Sequence, residues 1–229
     1  MSDGKHILGS FDEALEALRN NVLMMASLAE RNLANAGKGL FERDDDPCNV
    51  VIADDEEIDA LEIQIDREGV SLLTRFQPLA SDLRRVITAM KSSTNIERIA
   101  DQAVNIARRA RKLNAHPRLE VAQSLEPMFA HATSMFADAI KAYADDDAEL
   151  ARGLKARDKD LDEMNRVFAR TCTQQMASEP SSVKGYLNLI FIARFLERIG
   201  DHATNFGEDT VFAVEAEEIR HTQSAAPPL

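Results

Sequence analysis

The chain has 229 residues, 45% of them apolar, and its 27 basic and 39 acidic side chains give a formal charge of −12. That balance repels nucleic-acid phosphates and anionic lipid headgroups over most of the surface, which argues against a nucleic-acid or membrane-surface protein. Trp is absent and Tyr occurs only twice, whereas Ala, Leu, Glu, Asp and Arg dominate, a mix favoured in long helices and depleted in strands.

In chain order, Met1 to His6 is polar, and the apolar positions that follow are interrupted by Asp12, Glu13 and Glu16. This pattern does not read as a secretory signal, and a cytoplasmic location is expected. Phe11, Leu15, Leu18, Val22, Met25 and Ala29 then recur in steps of four and three, the seam of a helix packed on helices. Asp44-Asp45-Asp46-Pro47 is expected to end this helix. A second helix is predicted from about Val50 to Arg75, and Pro78 with Ser81-Asp82 marks the start of a third reaching about Leu113. His116-Pro117 separates the halves, giving units 1–115 and 116–229. The second unit repeats the scheme, with breaks at Asp145 to Asp147 and at Glu179-Pro180-Ser181-Ser182, a last helix through Glu197 to about Val214, and a frayed tail from Glu218. Long segments joined by short turns pack antiparallel. The expected fold is therefore all-α, two tandem three-helix bundles side by side.

The most apolar stretch, Tyr186 to Leu196, contains Asn188 and Arg194 and falls well short of the roughly 20 residues of a membrane span, so any membrane contact is expected through a partner. Cys48 and Cys172 lie far apart without C-x-x-C spacing and read as reduced structural thiols. The methionines are scattered over helical faces and read as core filler.

The halves are duplicates. Glu97-Arg98-Ile99-Ala100-Asp101-Gln102-Ala103-Val104-Asn105 returns as Glu197-Arg198-Ile199-Gly200-Asp201-His202-Ala203-Thr204-Asn205, an offset of 100. Four residues advance a helix by about 400°, so Glu97 with Asp101 and Glu197 with Asp201 form one stripe per copy. The preceding helices add one-turn pairs: Asp55 with Asp59, Glu62 with Asp66, and Asp158 with Asp162. Like charges at this spacing oppose each other, and here they stand among core-like Ile96, Ile99, Phe195 and Leu196. Converging carboxylates without Cys or a His pair suit hard cations or iron (Mg, Mn, Ca or Fe), with zinc possible but not favoured. The alternative is a solvated acidic face neutralised by Arg98, Arg108, Arg109 and Arg198. The repeat of the motif one unit later favours a metal site. His202 beside Asp201 points about 100° away from it and reads as a histidine bonded to the next helix rather than a ligand.

These two motifs, with Gln77-Pro78-Leu79-Ala80-Ser81-Asp82-Leu83-Arg84 leading into the first, resemble the paired signatures of the PhoU family over about residues 6 to 214. The resemblance implies two three-helix bundles carrying E/D-x-x-x-D metal motifs, often holding iron or another divalent ion. It also implies a negative regulator of the phosphate regulon, with the ATPase subunit of the phosphate ABC transporter and a sensor histidine kinase as partners, a homodimer possible and no enzymatic activity. Carried over, the metal residues are Glu97, Asp101, Glu197 and Asp201, with Asp59, Glu62, Asp66, Asp158 and Asp162 facing them. The copies differ, since Ala100 and Gln102 stand where the second motif has Gly200 and His202, and Asn165 and Ala169 stand where the first has Glu62 and Asp66. A runner-up reading is a carboxylate-bridged di-metal oxidoreductase of ferritin-like type. It needs two inward Glu-x-x-His pairs, and Glu218-x-x-His221 in the tail is the only one in the sequence. An acidic face also repels free phosphate, so a response to phosphate is expected through bound metal or a partner.

Overall fold

The protein is described by a computed structural model covering residues 3–220, with side chains from residue 9 onward. Seven α-helices are present among the described residues, and no strand. They are α1 (Asp3–Phe41), α2 (Asp45–Ala53), α3 (Asp55–Phe76), α4 (Ala80–Asn114), α5 (Glu126–Asp145), α6 (Ala148–Ser178) and α7 (Val183–Glu215). Helices α1, α2–α3 and α4 form the first three-helix bundle, and α5, α6 and α7 the second.

The heptad-like spacing of α1 buries its predicted seam. Leu18, Val22, Met25, Ala29, Leu33 and Ala36 are fully enclosed, each large apolar side chain contributing about 1.5–3 kcal/mol relative to exposure. The run of acids at 44–46 does not simply end α1. Asp44 caps a new helix, its carboxylate accepting from the Asp46 amide at 3.0 Å, and α2 starts five residues before the expected second helix. Pro47 fits in that first turn, where backbone N–H groups have no intrahelical partner. The acids at 145–147 repeat the device, with Asp147 accepting from the Leu150 amide at 2.9 Å. The second helix is broken once, at Asp54, whose carboxylate meets Arg31 of α1 at 2.8 Å.

The two bundles do more than lie side by side. One continuous core runs through both, and its axis is the packing of α4 on α7. Contacts of Thr88 with Asp209, Asn95 with His202, and Arg109 with Asn188 show that these helices run antiparallel. The first and last contacts exchange under the 100-residue offset, Thr88 corresponding to Asn188 and Asp209 to Arg109. The seam therefore crosses a pseudo-twofold axis close to Arg98 and Arg198. The segment after α7 stays on the body through residue 220, because Ile219 packs beside Val211 and Arg220 pairs with Glu218 and Asp209, and the rest of the expected tail lies outside the described residues.

Gly39 sets the junction of α1 with α2. A Cβ there would stand 2.1 Å from the Cys48 sulfur and 3.1 Å from the Asp44 carbonyl oxygen, and Cys48 is fully enclosed. Overpacking of this kind costs about 1–3 kcal/mol, against roughly 1 kcal/mol gained from alanine's helix propensity. Gly39→Ala is expected to lower the melting temperature and Gly9→Ala, whose Cβ meets nothing within 4 Å, to raise it or leave it unchanged. Thermal denaturation of the two variants checks this, and equal melting temperatures would show that α2 has room to move.

Candidate metal centres

Each acid stripe is assembled across one antiparallel helix pair. In the first bundle α3 lies against α4 so that Asp55 approaches Asp101, and Asp59 and Glu62 approach Glu97. In the second, Asp158 and Asp162 of α6 approach Glu197 and Asp201 of α7. The expected stripes thus meet their facing helices, with one exception. Asp66 sits beyond the acidic end of α3, exposed, near where Gly69 packs on Met90. Two further acids join the clusters: Asp55 in the first, and Glu208, one turn beyond Thr204, beside Asp158 in the second. Asp55 had a sequence signal, its one-turn spacing to Asp59. Glu208 had none, because its relation to Asp158 exists only across α6 and α7.

Burial dominates the electrostatics. The Glu97 carboxyl is pushed up to about 7 by desolvation, with Asp101, Glu62 and Asp59 adding and Arg98 opposing. Glu197 is likewise raised to about 7 by burial and by Asp201, Asp162 and Asp158, against Arg194. Asp158 rises to about 6 from burial and from Asp201, Asp162 and Glu208. Asp55 and Asp201 shift upward for the same reasons. Two helices from the same bundle are holding like charges against each other in a partly dry setting, which costs free energy unless a cation or protons offset it.

The arginines do not complete that offset. Arg194 bonds Glu197 through Oε1, yet Glu197 Oε2 is enclosed and accepts no hydrogen bond. Glu97 Oε2 lies 3.3 Å from Arg98 Nε without hydrogen-bond geometry, and Asp158 Oδ1 is enclosed and unbonded. A buried carboxylate oxygen without a donor costs about 1–3 kcal/mol or more, and both copies keep one at the equivalent Glu. All-oxygen donors orphaned in this way fit a hard cation or iron. Among the described residues no three His, Cys, Asp or Glu side chains stand ready around a single point.

Gly200 has a specific role in the second copy. A Cβ there would come 2.4 Å from the Leu161 side chain and 3.1 Å from Asp158 Oδ1, so the glycine lets α6 bring Asp158 down onto α7. Ala100 holds the equivalent place in the first copy and is buried. His202, as expected, turns away from the stripe, with Nδ1 3.3 Å from Asn95 Oδ1 on α4. His221 lies outside the described residues. No helix among them is long and apolar enough to cross a membrane.

A duplicated helical bundle that encloses one glutamate oxygen at the same place in each half defines the class, a two-fold repeat scaffold with twin acidic centres. Known proteins share this design. The PhoU domain matches residues 22–110 and 125–210. The chain is 34% identical to the Phosphate-specific transport system accessory protein PhoU homolog of Caulobacter vibrioides, over 94% of each chain, and 37% identical to that of Pseudomonas putida, over 94% of this chain and 85% of that one. The crystal structure of PhoU from Pseudomonas aeruginosa superposes with a TM-score of 0.87 at 34% identity, over 90% of this chain and 100% of that one. The phosphate transport system regulatory protein PhoU from Streptococcus pneumoniae gives 0.84 at 25% identity, over 91% and 99%. The chain belongs to the PhoU family.

The raised carboxyls make stability depend on pH with a definite sign. A folded-state pKa above the ordinary 4.5 means that between about pH 4.5 and 7 the native state of metal-free protein holds more protons than the unfolded state. Stability from Glu97 and Glu197 is then full at the acid end of that window and lost as pH rises through 7. His202 acts in the opposite direction, since burial together with Arg98 and Arg198 lowers its pKa. The Glu97→Gln, Glu197→Gln protein isolates the carboxylates. In chelator-treated samples its melting temperature is expected to exceed that of the parent at pH 7.5, and the excess should shrink by pH 5. A gap independent of pH would show that these acids ionise normally.

Proposed function

We propose that this protein is a metal-binding cytosolic regulatory adaptor of phosphate homeostasis, a negative regulator of the phosphate regulon that links the phosphate ABC transporter to its sensor histidine kinase. The observation that carries the metal half of this reading is the repeated orphan, Glu97 Oε2 and Glu197 Oε2, set at equivalent places in both copies. Relatives named accessory and regulatory proteins of phosphate transport support the regulatory half.

A bound Fe, Mn or Mg ion would supply the positive charge that offsets the carboxylates. The residues that hold it are Glu97 and Asp101 with Asp55, Asp59 and Glu62 in the first bundle, and Glu197 and Asp201 with Asp158 and Asp162 in the second. Because each set spans two helices, occupancy ties α3 to α4 and α6 to α7, and so fixes the helical faces a partner reads. On this reading those faces dock on the transporter's cytosolic ATPase subunit and on the kinase, partners implied by the family, and the protein reaches the membrane only through them.

Added Mn²⁺ at a hundredfold excess over Kd should stabilise the protein by about 2.7 kcal/mol through mass action, on the order of 5–10 °C in melting temperature for a chain of this size. Asp101→Asn with Asp201→Asn should remove that gain, and a gain of the same size in the double variant would place the metal elsewhere.

The regulatory half has its own test. Deleting the gene in its host should switch on phosphate-starvation genes while phosphate is abundant, and reintroduction should silence them. Starvation genes that stay silent in the deletion strain, with no second copy present, would falsify the reading.

A further inference from the structure

Helix α7 is mostly buried, yet from Val183 to Gly200 it has five exposed positions: Lys184, Leu187, Phe191, Arg194 and Arg198. They recur in steps of three and four, the spacing by which one helix packs along another. At 1.5 Å per residue the row is about 21 Å long. In a chain of charge −12 it carries no acid. Cations stand at both ends and two large apolar side chains between them.

Leu187 and Phe191 are each 45% exposed. Other large apolar side chains reach the surface singly, as at Met24, Val50 and Val167, or two turns apart, as Ile63 and Val70 do on α3. Among the described residues Leu187 and Phe191 are the only such pair on adjacent turns of one helix. Scattered exposed apolar groups are ordinary, whereas a contiguous pair rimmed by charge marks an interaction surface. The Phe191 ring is also held in place. Arg109 of α4 lies 3.9 Å from its centroid and donates to Asn188 Oδ1 at 2.8 Å, and Phe195, one turn on, stacks beside it with 6.4 Å between centroids. A side chain fixed beforehand loses little rotamer freedom on binding, and a well-packed aromatic makes a good anchor.

The pseudo-twofold repeat shows what this place lacks. At the offset of 100, Lys91 of α4 stands where Phe191 does on α7, and the chain itself answers it: Asp209 lies 3.5 Å from Lys91 Nζ, the Phe212 ring centroid 5.6 Å from it, and Glu218 adds its charge. An acid and a ring thus meet the cation of that row from within the molecule. At the Phe191 end the places of Asp209 and Phe212 are taken by Arg109 and Lys112. Lys184 has no acidic partner among the described residues. Arg194 bonds Glu197, and its guanidinium keeps further donors for a second carboxylate.

We propose that the exposed row of α7 from Lys184 to Arg198 is a docking surface for an acidic amphipathic helix of a partner protein, with the helix's apolar residues seated on Leu187 and Phe191 and its carboxylates on Lys184, Arg194 and Arg198. Recognition of this kind reads anchors at helical spacing and takes its specificity from complementary charge. A narrow helix can sit on the row alone, whereas the broad plane of an anionic bilayer would also bring its charge against the surrounding acidic surface. The inference rests on the adaptor reading for the existence of a protein partner, and on the row itself for that partner's chemistry.

The test is fluorescence anisotropy of the full chain with a labelled, Ala-rich helical peptide of about 18 residues, long enough to cover the row. The peptide carries Leu at two successive seam positions and Glu at the seam positions on either side. Saturable binding at one site per chain is expected. A peptide with Lys in place of Glu should bind the parent more weakly by roughly tenfold or more. Leu187→Ala with Phe191→Ala should weaken binding of the acidic peptide by roughly tenfold or more, and Lys184→Glu should weaken it as well. All three side chains are exposed, and circular dichroism should show that the variants fold as the parent does. Ile63→Ala with Val70→Ala, exposed on α3, should bind as the parent does. Absence of binding by the parent, equal binding by the Leu187→Ala, Phe191→Ala protein, or equal binding of the Lys peptide would overturn the proposal. Self-association of the parent that this double variant abolishes would make a second copy the occupant and overturn it too, as would tighter binding to vesicles of anionic lipid that is lost in the variant. Peptide binding that persists although deletion of the gene leaves starvation genes silent would remove the regulatory reading and keep this surface.

Discussion

The packing of α4 on α7 is the constraint on which the rest of the molecule depends. Each helix is the carrier of its own bundle's acid stripe, and each is also the core element through which the two bundles share one interior. Ile99, Ala103, Ile106 and Ala107 on one side and Ile192, Leu196, Ile199 and Ala203 on the other are fully buried. Small residues among these large ones let the backbones approach closely. The acids have no freedom to drift from the seam, because they occupy the same turns as those core residues.

That placement explains why the acids are electrostatically unusual. A glutamate on the free face of a helix meets water and titrates in the ordinary range. Glu97 and Glu197 sit at the edge of the hydrophobic face, where desolvation is the leading cause of their upward shifts and neighbouring carboxylates only deepen it. Arg98, next to Glu97, and Arg194, one turn before Glu197, moderate this without saturating the carboxylate oxygens. The fold spends part of its hydrophobic stability on holding this charge in place, a pattern found where a site is kept ready for a ligand.

Much of this was legible in the residues. The seam of α1, the duplication, and the breaks at 78 and 145–147 follow from short-range rules of helix periodicity and punctuation, and they reappear as helices and caps. The E-x-x-x-D pairs were legible because one helix turn brings positions i and i+4 together whatever the tertiary context. The split at Asp54 was not, because no Pro or Gly marks it and the break is held by an ion pair to Arg31, 23 positions away. Asp66 was indistinguishable from Glu62 by spacing, and only its exposure separates them, since α3 still packs on α4 beyond it, where Gly69 meets Met90.

The duplicated contacts at the two ends of the seam have become chemically different. At one end the Asp209 carboxylate is buried with Asn95 and Lys91, and its backbone carbonyl accepts from Thr88. At the other, Arg109 lies 3.9 Å over the ring of the exposed Phe191 and bonds Asn188 at 2.8 Å. A buried, many-partnered carboxylate is far more costly to pull apart than a cation resting on an exposed ring. The two ends of the seam are thus held unequally, by a buried carboxylate at Asp209 and by a cation on an exposed ring at Arg109, so that the cost of parting α4 from α7 is concentrated at the Asp209 end.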